Sequence, residues 1–247
     1  ADSGIRYRSP SRGLGDVYKR QQLALKVIKK LDNSSPNNLS LLFNIIGAIN
    51  NHKKKFNKAI LYYKKAIKLN KHQYDYYYNL AISYKGNLEF NKAIKSYDKA
   101  IKLKPNYAEA YNNKGNILKE LGKFSESLDC YTKAINFKPD YAEAYNNKGN
   151  ILKDVGKLDE SLNCYKEAIK INSQYLNAHN NLGNLFVELG KLTESIASFD
   201  YAIKIDPYFI VSFVIKIKAY EAFNKVKEAK KILLVARNLK IENIDLD

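Results

Sequence analysis

The sequence predicts an all-α solenoid of about six helix-turn-helix repeats, and three observations carry the prediction. AEAYNNKG occurs at residues 108–115 and again at 142–149, displaced by 34 residues. The same interval organises the chain from Ser40 to Ile241, marked by Pro105, Pro139 and Pro207, with Lys71 and Ser173 in the slot where proline is missing. Within each interval, apolar and small residues recur at spacings of three and four in two successive runs, which is helical periodicity. A unit of this size cannot bury its apolar face alone and must shelter it against its neighbours.

The opening differs from everything after it. Residues 1–20 hold four of the five arginines (Arg6, Arg8, Arg12 and Arg20) and none of the 28 asparagines. They resemble translated adapter sequence, and Pro10, Gly13 and Gly15 block a helix, so this segment is expected to be non-native and disordered. A basic arm for nucleic acid is the weaker reading of the same residues. Next, QQLALKVIKKL at 21–31 places Leu23, Val27 and Leu31 on one face beside Ala24 and Ile28. This reads as a degenerate half-repeat, a capping helix over 21–36 ended by Pro36.

Six units follow, at 40–73, 74–107, 108–141, 142–175, 176–209 and 210–243. In residues 108–141, Tyr111, Gly115 and Leu118 define the first helix and Leu121 lies one face over. Gly122-Lys123 then interrupts as a helix stop. Phe124, Ser127, Leu128, Tyr131, Ala134 and Ile135 define the second helix, and Pro139 terminates it. Each unit is therefore expected to be an antiparallel pair of helices of some 12–14 residues.

Aligned at this interval, the chain shows columns of matched size. Gly47, Ala81, Gly115, Gly149 and Gly183 form one small column; Ala66, Ala100, Ala134, Ala168, Ala202 and Ala236 form another. Ala59, Ala93, Ser127, Ser161, Ser195 and Ala229 form a third. Large residues fill the complementary columns: Phe43, Tyr77, Tyr111, Tyr145, His179 and Phe213, then Tyr63, Tyr97, Tyr131, Tyr165, Phe199 and Leu233. Alternating small and large side chains is what interior packing density requires. The sixth unit departs most, with Ile217 in the glycine column and Ile241 in the proline slot.

The order of these columns resembles the tetratricopeptide repeat: an aromatic, a small residue four later, another large residue, then Ala, an aromatic, Ala and Pro. The resemblance covers about four-fifths of the chain. It implies a right-handed α-α superhelix whose first helices line a concave groove that holds a protein or peptide ligand. It says little about which one. After Arg237 no solubilising helix follows Ile232-Leu233-Leu234-Val235. Terminal repeats normally carry a polar cap, so truncation of a longer chain is expected, or else end-to-end self-association through the C-terminal repeat.

On the expected groove, Asn112, Asn113 and Asn116 recur as Asn146, Asn147 and Asn150, and again as Asn180, Asn181 and Asn184; Asn79 extends one column a repeat earlier. Spacings of three and four put each trio on one helical face. Asparagine has middling-to-poor helix propensity, so its recurrence asks for a reason. An amide carries donors and an acceptor that read peptide backbone whatever the side chains. Similar asparagine ladders occur in the repeat superhelix of O-linked N-acetylglucosamine transferases, where they hold extended polypeptide. The competing explanation is codon bias plus recent duplication, with some amides merely linking neighbouring repeats. Repeat domains that clamp the C-terminal carboxylate of chaperones place Lys and Arg on these faces. Here the corresponding sites are Glu109, Asn112, Glu143 and Asn147, so carboxylate capture has no cationic partner.

Charge and composition exclude other classes. The net charge is +17, and it is concentrated in residues 21–104, where 17 lysines face four acids. That end favours an acidic partner. Nucleic acid is the weaker alternative, because Lys64, Lys65, Lys68, Lys92, Lys95 and Lys99 fall on second helices around the convex side and lysine-rich faces are mostly solvation. No run approaches the ~18 apolar residues of a membrane span, and the absence of a signal-type segment places the protein in the cytoplasm. Cys130 and Cys164 occupy equivalent slots on stacked helices roughly 8–10 Å apart, beyond the ~7 Å Cα separation of a disulfide. His52, His72 and His179 are dispersed, and neither a phosphate loop nor a metal-ligand spacing occurs. The reading is a non-catalytic protein-interaction scaffold without cofactor or metal. Its alternative is the recognition arm of a larger enzyme such as a glycosyltransferase.

Overall fold

The structure is a computed structural model and describes residues 35–238. The segment 1–20, the expected capping helix up to residue 34, and residues 239–247 lie outside the described residues.

The chain divides into two compact units, one running to Ala110 and one from Tyr111 onward. In the first, α1 (Pro36–His52) pairs with α2 (Phe56–Leu69), and α3 (Tyr74–Gly86) pairs with α4 (Phe90–Leu103). The second contains α5 (Ala108–Glu120), which begins at the end of the first, and α6 (Phe124–Phe137). There follow α7 (Ala142–Asp154) with α8 (Leu158–Ile171), α9 (Leu176–Glu188) with α10 (Leu192–Ile205), and α11 (Ile210–Ala222) with α12 (Val226–Asn238). No described residue lies in a strand. Pro36 opens α1; its fixed φ and missing N–H suit the first turn of a helix.

Each hairpin turns through the same corner. Lys54, Leu88, Gly122, Gly156, Gly190 and Asn224 all adopt positive φ, between 54° and 79°. The next residue's N–H reaches back to a carbonyl five positions earlier: Glu89 to Tyr84 at 2.8 Å, Lys123 to Leu118 at 2.8 Å, Lys157 to Leu152 at 2.8 Å. This Schellman closure satisfies carbonyls that the helix end leaves open. Glycine therefore explains only half of the corners. At Lys54, Leu88 and Asn224 a side chain tolerates the left-handed conformation because the surrounding hydrogen bonds impose it.

Packing within a hairpin depends on one close approach. A Cβ placed on Gly149 would lie 2.7 Å from the Tyr165 ring, and Gly115 and Gly183 stand in the same relation to Tyr131 and Phe199. The rings of Tyr63, Tyr97, Tyr131, Tyr165 and Phe199 are at most 2% exposed, and the alanines at 66, 100, 134, 168, 202 and 236 are fully buried. The last hairpin evens out the two sizes: Ile217 fills the glycine slot and Leu233, smaller than tyrosine, the ring slot, within a cluster of Phe213, Ala229 and Ala236. Of the terminal apolar run, Ile232 and Leu233 pack on that cluster while Leu234 and Val235 stay exposed.

Cys130 and Cys164 are free thiols, and burial raises the Cys164 thiol above its ordinary value. The tyrosine-rich stretch that opens α3 is engaged within its own unit. Tyr74 and Tyr78 pack against Tyr107 with centroids 5.1 and 4.9 Å apart, and Lys104 Nζ sits 4.5 Å from the Tyr74 centroid. These rings are occupied by neighbours and are not arrayed as a stacking platform.

Two substitutions probe these constraints. Gly149→Ala is expected to lower stability by about 1–3 kcal/mol through overpacking, although alanine is the better helix former by about 1 kcal/mol. Adding Tyr165→Leu, which copies the residue in the ring slot of the last hairpin, recovers part of the loss in a denaturant double-mutant cycle. At the corner, Leu88→Gly is expected to raise stability by about 1 kcal/mol. An unchanged urea midpoint would show that Leu88 carries no strain.

Candidate functional site

The asparagine columns divide by burial into two kinds. Asn112, Asn146 and Asn180 are 0%, 4% and 5% exposed. Asn112 lies enclosed between repeats instead of on a presented surface: its Nδ2 donates to Glu143 Oε1 at 3.0 Å and to the Tyr141 hydroxyl at 3.3 Å, and its Oδ1 accepts from Asn147 Nδ2 at 3.1 Å. One repeat on, Asn181 Nδ2 donates to Asn146 Oδ1 at 2.9 Å. In the first unit Asn79 Nδ2 donates to Asn44 Oδ1 at 3.1 Å. A single rule covers these rungs: an amide oxygen accepts from the residue 35 positions later. Buried amides need such partners, since an unmet one costs about 1–3 kcal/mol.

The third column is tied down by the core tyrosines. Burial raises the hydroxyls of Tyr131 and Tyr165 above the ordinary phenol value, so they remain protonated donors. They bond Asn116 Oδ1 and Asn150 Oδ1, each at 2.7 Å. Position 199 is Phe, so Asn184 lacks the corresponding donor.

Seven of the ten sequence-predicted residues converge on one cavity of about 560 Å³ in the second unit: Asn116, Asn146, Asn147, Asn150, Asn180, Asn181 and Asn184. Asn112 and Asn113 do not line it, and Asn79 belongs to the first unit. Among the described residues, Asn147 and Asn181 use Nδ2 in their rungs and leave Oδ1 unmet, whereas Asn150 uses Oδ1 and leaves Nδ2. The groove thus presents acceptors and donors side by side.

Six further residues complete the lining: Glu143, Tyr175, Asn177, Phe209, Val211 and Ile215. Of these the sequence reading had marked only Glu143, as a corresponding site. The others were available in the repeat register, since Glu143, Asn177 and Val211 share one column, Tyr175 and Phe209 another, and Asn181 and Ile215 a third. Tyr175 is raised above its ordinary value by burial first and by the Glu143 carboxylate second, and so stays a neutral hydroxyl beside that charge. Among the described residues no cluster of His, Cys, Asp and Glu could hold a metal ion, and no helix is long and apolar enough to cross a membrane.

Stacked helical hairpins with a presented groove define a helical-repeat interaction scaffold. A family model described as TPR repeat matches residues 89–122, 115–156 and 149–190, and one described as tetratricopeptide repeat matches 42–73 and 176–209, together more than half of the chain. The chain belongs to the tetratricopeptide repeat family. No curated protein sequence matches it. Among solved structures it is similar to MamA, at 25% identity and TM-score 0.60 over 68% of this chain and 92% of that one. It resembles YrrB, described as a TPR protein with an unusual peptide-binding site, at 23% identity and TM-score 0.57 over 74% and 94%. It also resembles pilF from Pseudomonas aeruginosa, at 16% identity and TM-score 0.71 over 85% and 95%. The last two likenesses are of fold.

The two kinds of asparagine separate by stability. Asn112→Ala is expected to cost about 1–3 kcal/mol, because Asn147 Nδ2 and Glu143 lose a buried partner. Asn184→Ala is expected to stay within about 0.5 kcal/mol of the parent. Thermal melts followed by circular dichroism check both, and equal costs would contradict the division.

Proposed function

We propose that the second unit holds an extended peptide segment of a partner protein in the asparagine groove, without acting chemically on it. The supporting observation is the juxtaposition of unmet amide acceptors at Asn147 and Asn181 with the free Nδ2 of Asn150 and both amide groups of Asn184, in one open cavity. An extended chain offers N–H and C=O groups alternately along both edges. Stacked helices roughly 8–10 Å apart meet about three residues of such a chain per repeat at ~3.3 Å per residue. Amides that match main-chain groups give affinity with little demand on sequence. The buried rungs serve this role indirectly, by fixing the side chains that face the ligand.

The experiment is capture of an unmodified extended-peptide library by the full chain and by the Asn150→Ala/Asn184→Ala double variant. That pair leaves the Asn–Asn rungs intact, and circular dichroism confirms the fold. Losing two amide contacts at about 1 kcal/mol each is expected to weaken capture about 10- to 30-fold. Undiminished capture by the double variant would remove the groove from the binding reaction.

A further inference from the structure

We infer that the segment held in this groove carries a cationic side chain toward Glu143 and a large apolar side chain toward Val211 and Ile215, about five or six residues apart. This deepens the peptide reading and rests on it.

The groove changes chemistry along its length in three columns at once. Glu143 gives way to Asn177 and then Val211; Tyr175 gives way to Phe209; Asn181 gives way to Ile215. One end therefore bears a carboxylate and the other a wholly apolar set. Glu143 is the sole ionised side chain among the described residues lining the cavity, and no lysine or arginine lines it. Unlike the lysine-rich first unit, this groove repels an acidic segment and attracts a cation.

The apolar end has a second, independent mark. Asn180 is 5% exposed, its Nδ2 donates to Ser212 Oγ at 3.0 Å, and its Oδ1 is buried with no hydrogen-bond partner. In the two preceding rungs that oxygen is met by the amide 35 residues later, at Asn147 and Asn181. Here the residue 35 later is Ile215, which cannot donate. An unmet buried acceptor is unfavourable. Ile215 is also absent from the cluster that packs the last hairpin, so its apolar surface does not stabilise that core in return. It instead faces the cavity with Val211, which is 45% exposed. An apolar side chain that breaks a rung and lines a groove is an anchor for an apolar ligand group.

The spacing follows from the stack. Glu143 and Val211 stand two repeats apart in the register, or about 16–20 Å at helix-packing distance. Extended chain covers that in about five or six residues.

The test uses the full chain and synthetic heptapeptides with a Ser/Asn background, a Lys at one end, and a Leu placed three to six positions away, in both orientations. Fluorescence anisotropy at low salt is expected to give the tightest binding at separations of five and six. Replacing the Lys by Glu is expected to weaken it about three- to fivefold, and replacing the Leu by Ser about tenfold. Glu143→Gln keeps the oxygen that accepts from Asn112 and is expected to abolish the charge preference alone. Val211→Asn and, separately, Ile215→Asn are expected to abolish the Leu preference alone; the second supplies the donor missing at Asn180, so its melting temperature should hold or rise. Heptapeptides that bind equally whatever occupies the two positions would overturn this inference and leave the peptide reading standing. Preference for the Glu peptide would do the same. No binding of any peptide would remove both. Self-association of the parent chain in sedimentation, lost in Val211→Asn, would assign the apolar end to a second copy and overturn the inference.

Discussion

The structure depends on the contact between a residue without a side chain and an aromatic ring. Where Gly149 faces Tyr165, two helices approach closely enough for the ring to be enclosed completely. That distance sets how each hairpin closes, and therefore which face of the first helix remains for anything else. A side chain at the glycine would open the hairpin and move the ring, and the ring's hydroxyl would no longer meet Asn150 at 2.7 Å. Core geometry and groove geometry are thus joined through one tyrosine, whose ring packs inward while its oxygen positions an amide on the open side. In the last hairpin two medium-sized side chains, Ile217 and Leu233, take the places of the glycine and the ring, and no hydroxyl is left to reach outward. The repeat there keeps its packing and loses its amide support.

Burial decides what each asparagine does. The residues at 112, 146 and 180 are almost fully enclosed; their amides replace part of the apolar contact between successive repeats with directional bonds. Such bonds add little net free energy compared with apolar packing, but the penalty for leaving them unmet fixes the register of one repeat on the next. A slip by one position would strand the buried oxygens of Asn112 and Asn146. Partly exposed neighbours at 147, 150, 181 and 184 inherit that precision and face open space.

Much of this was legible in the sequence because repetition turns one chain into its own comparison. The columns of glycine, alanine and tyrosine gave the hairpins, and the asparagine trios gave seven of the residues around the cavity. Two things were hidden. Recurrence of Asn112 looks the same whether an amide faces a ligand or a neighbouring repeat, since both faces recur at the same interval; only burial separates them. The corner conformation was readable at Gly122 and Gly156 but not at Lys54 or Leu88, where backbone hydrogen bonding overrides the residue's own preference. The groove's apolar end escaped notice for a simpler reason: Phe209, Val211 and Ile215 matter because they differ from their column-mates, and a search for likeness passes over difference.

The rungs also have a direction. In the Asn–Asn rungs described above, the earlier repeat contributes the oxygen and the later one the hydrogen. For these rungs a module cut from the stack presents Asn oxygens on one side and Asn amide hydrogens on the other, while Asn112 and Asn180 donate in the opposite sense to Glu143 and Ser212. Copies that reproduce these rungs join head to tail, so a tandem duplication in the coding sequence arrives with partners for both its neighbours. Lengthening the array this way keeps every rung, whereas inverting a module would require both amides of each rung to turn over.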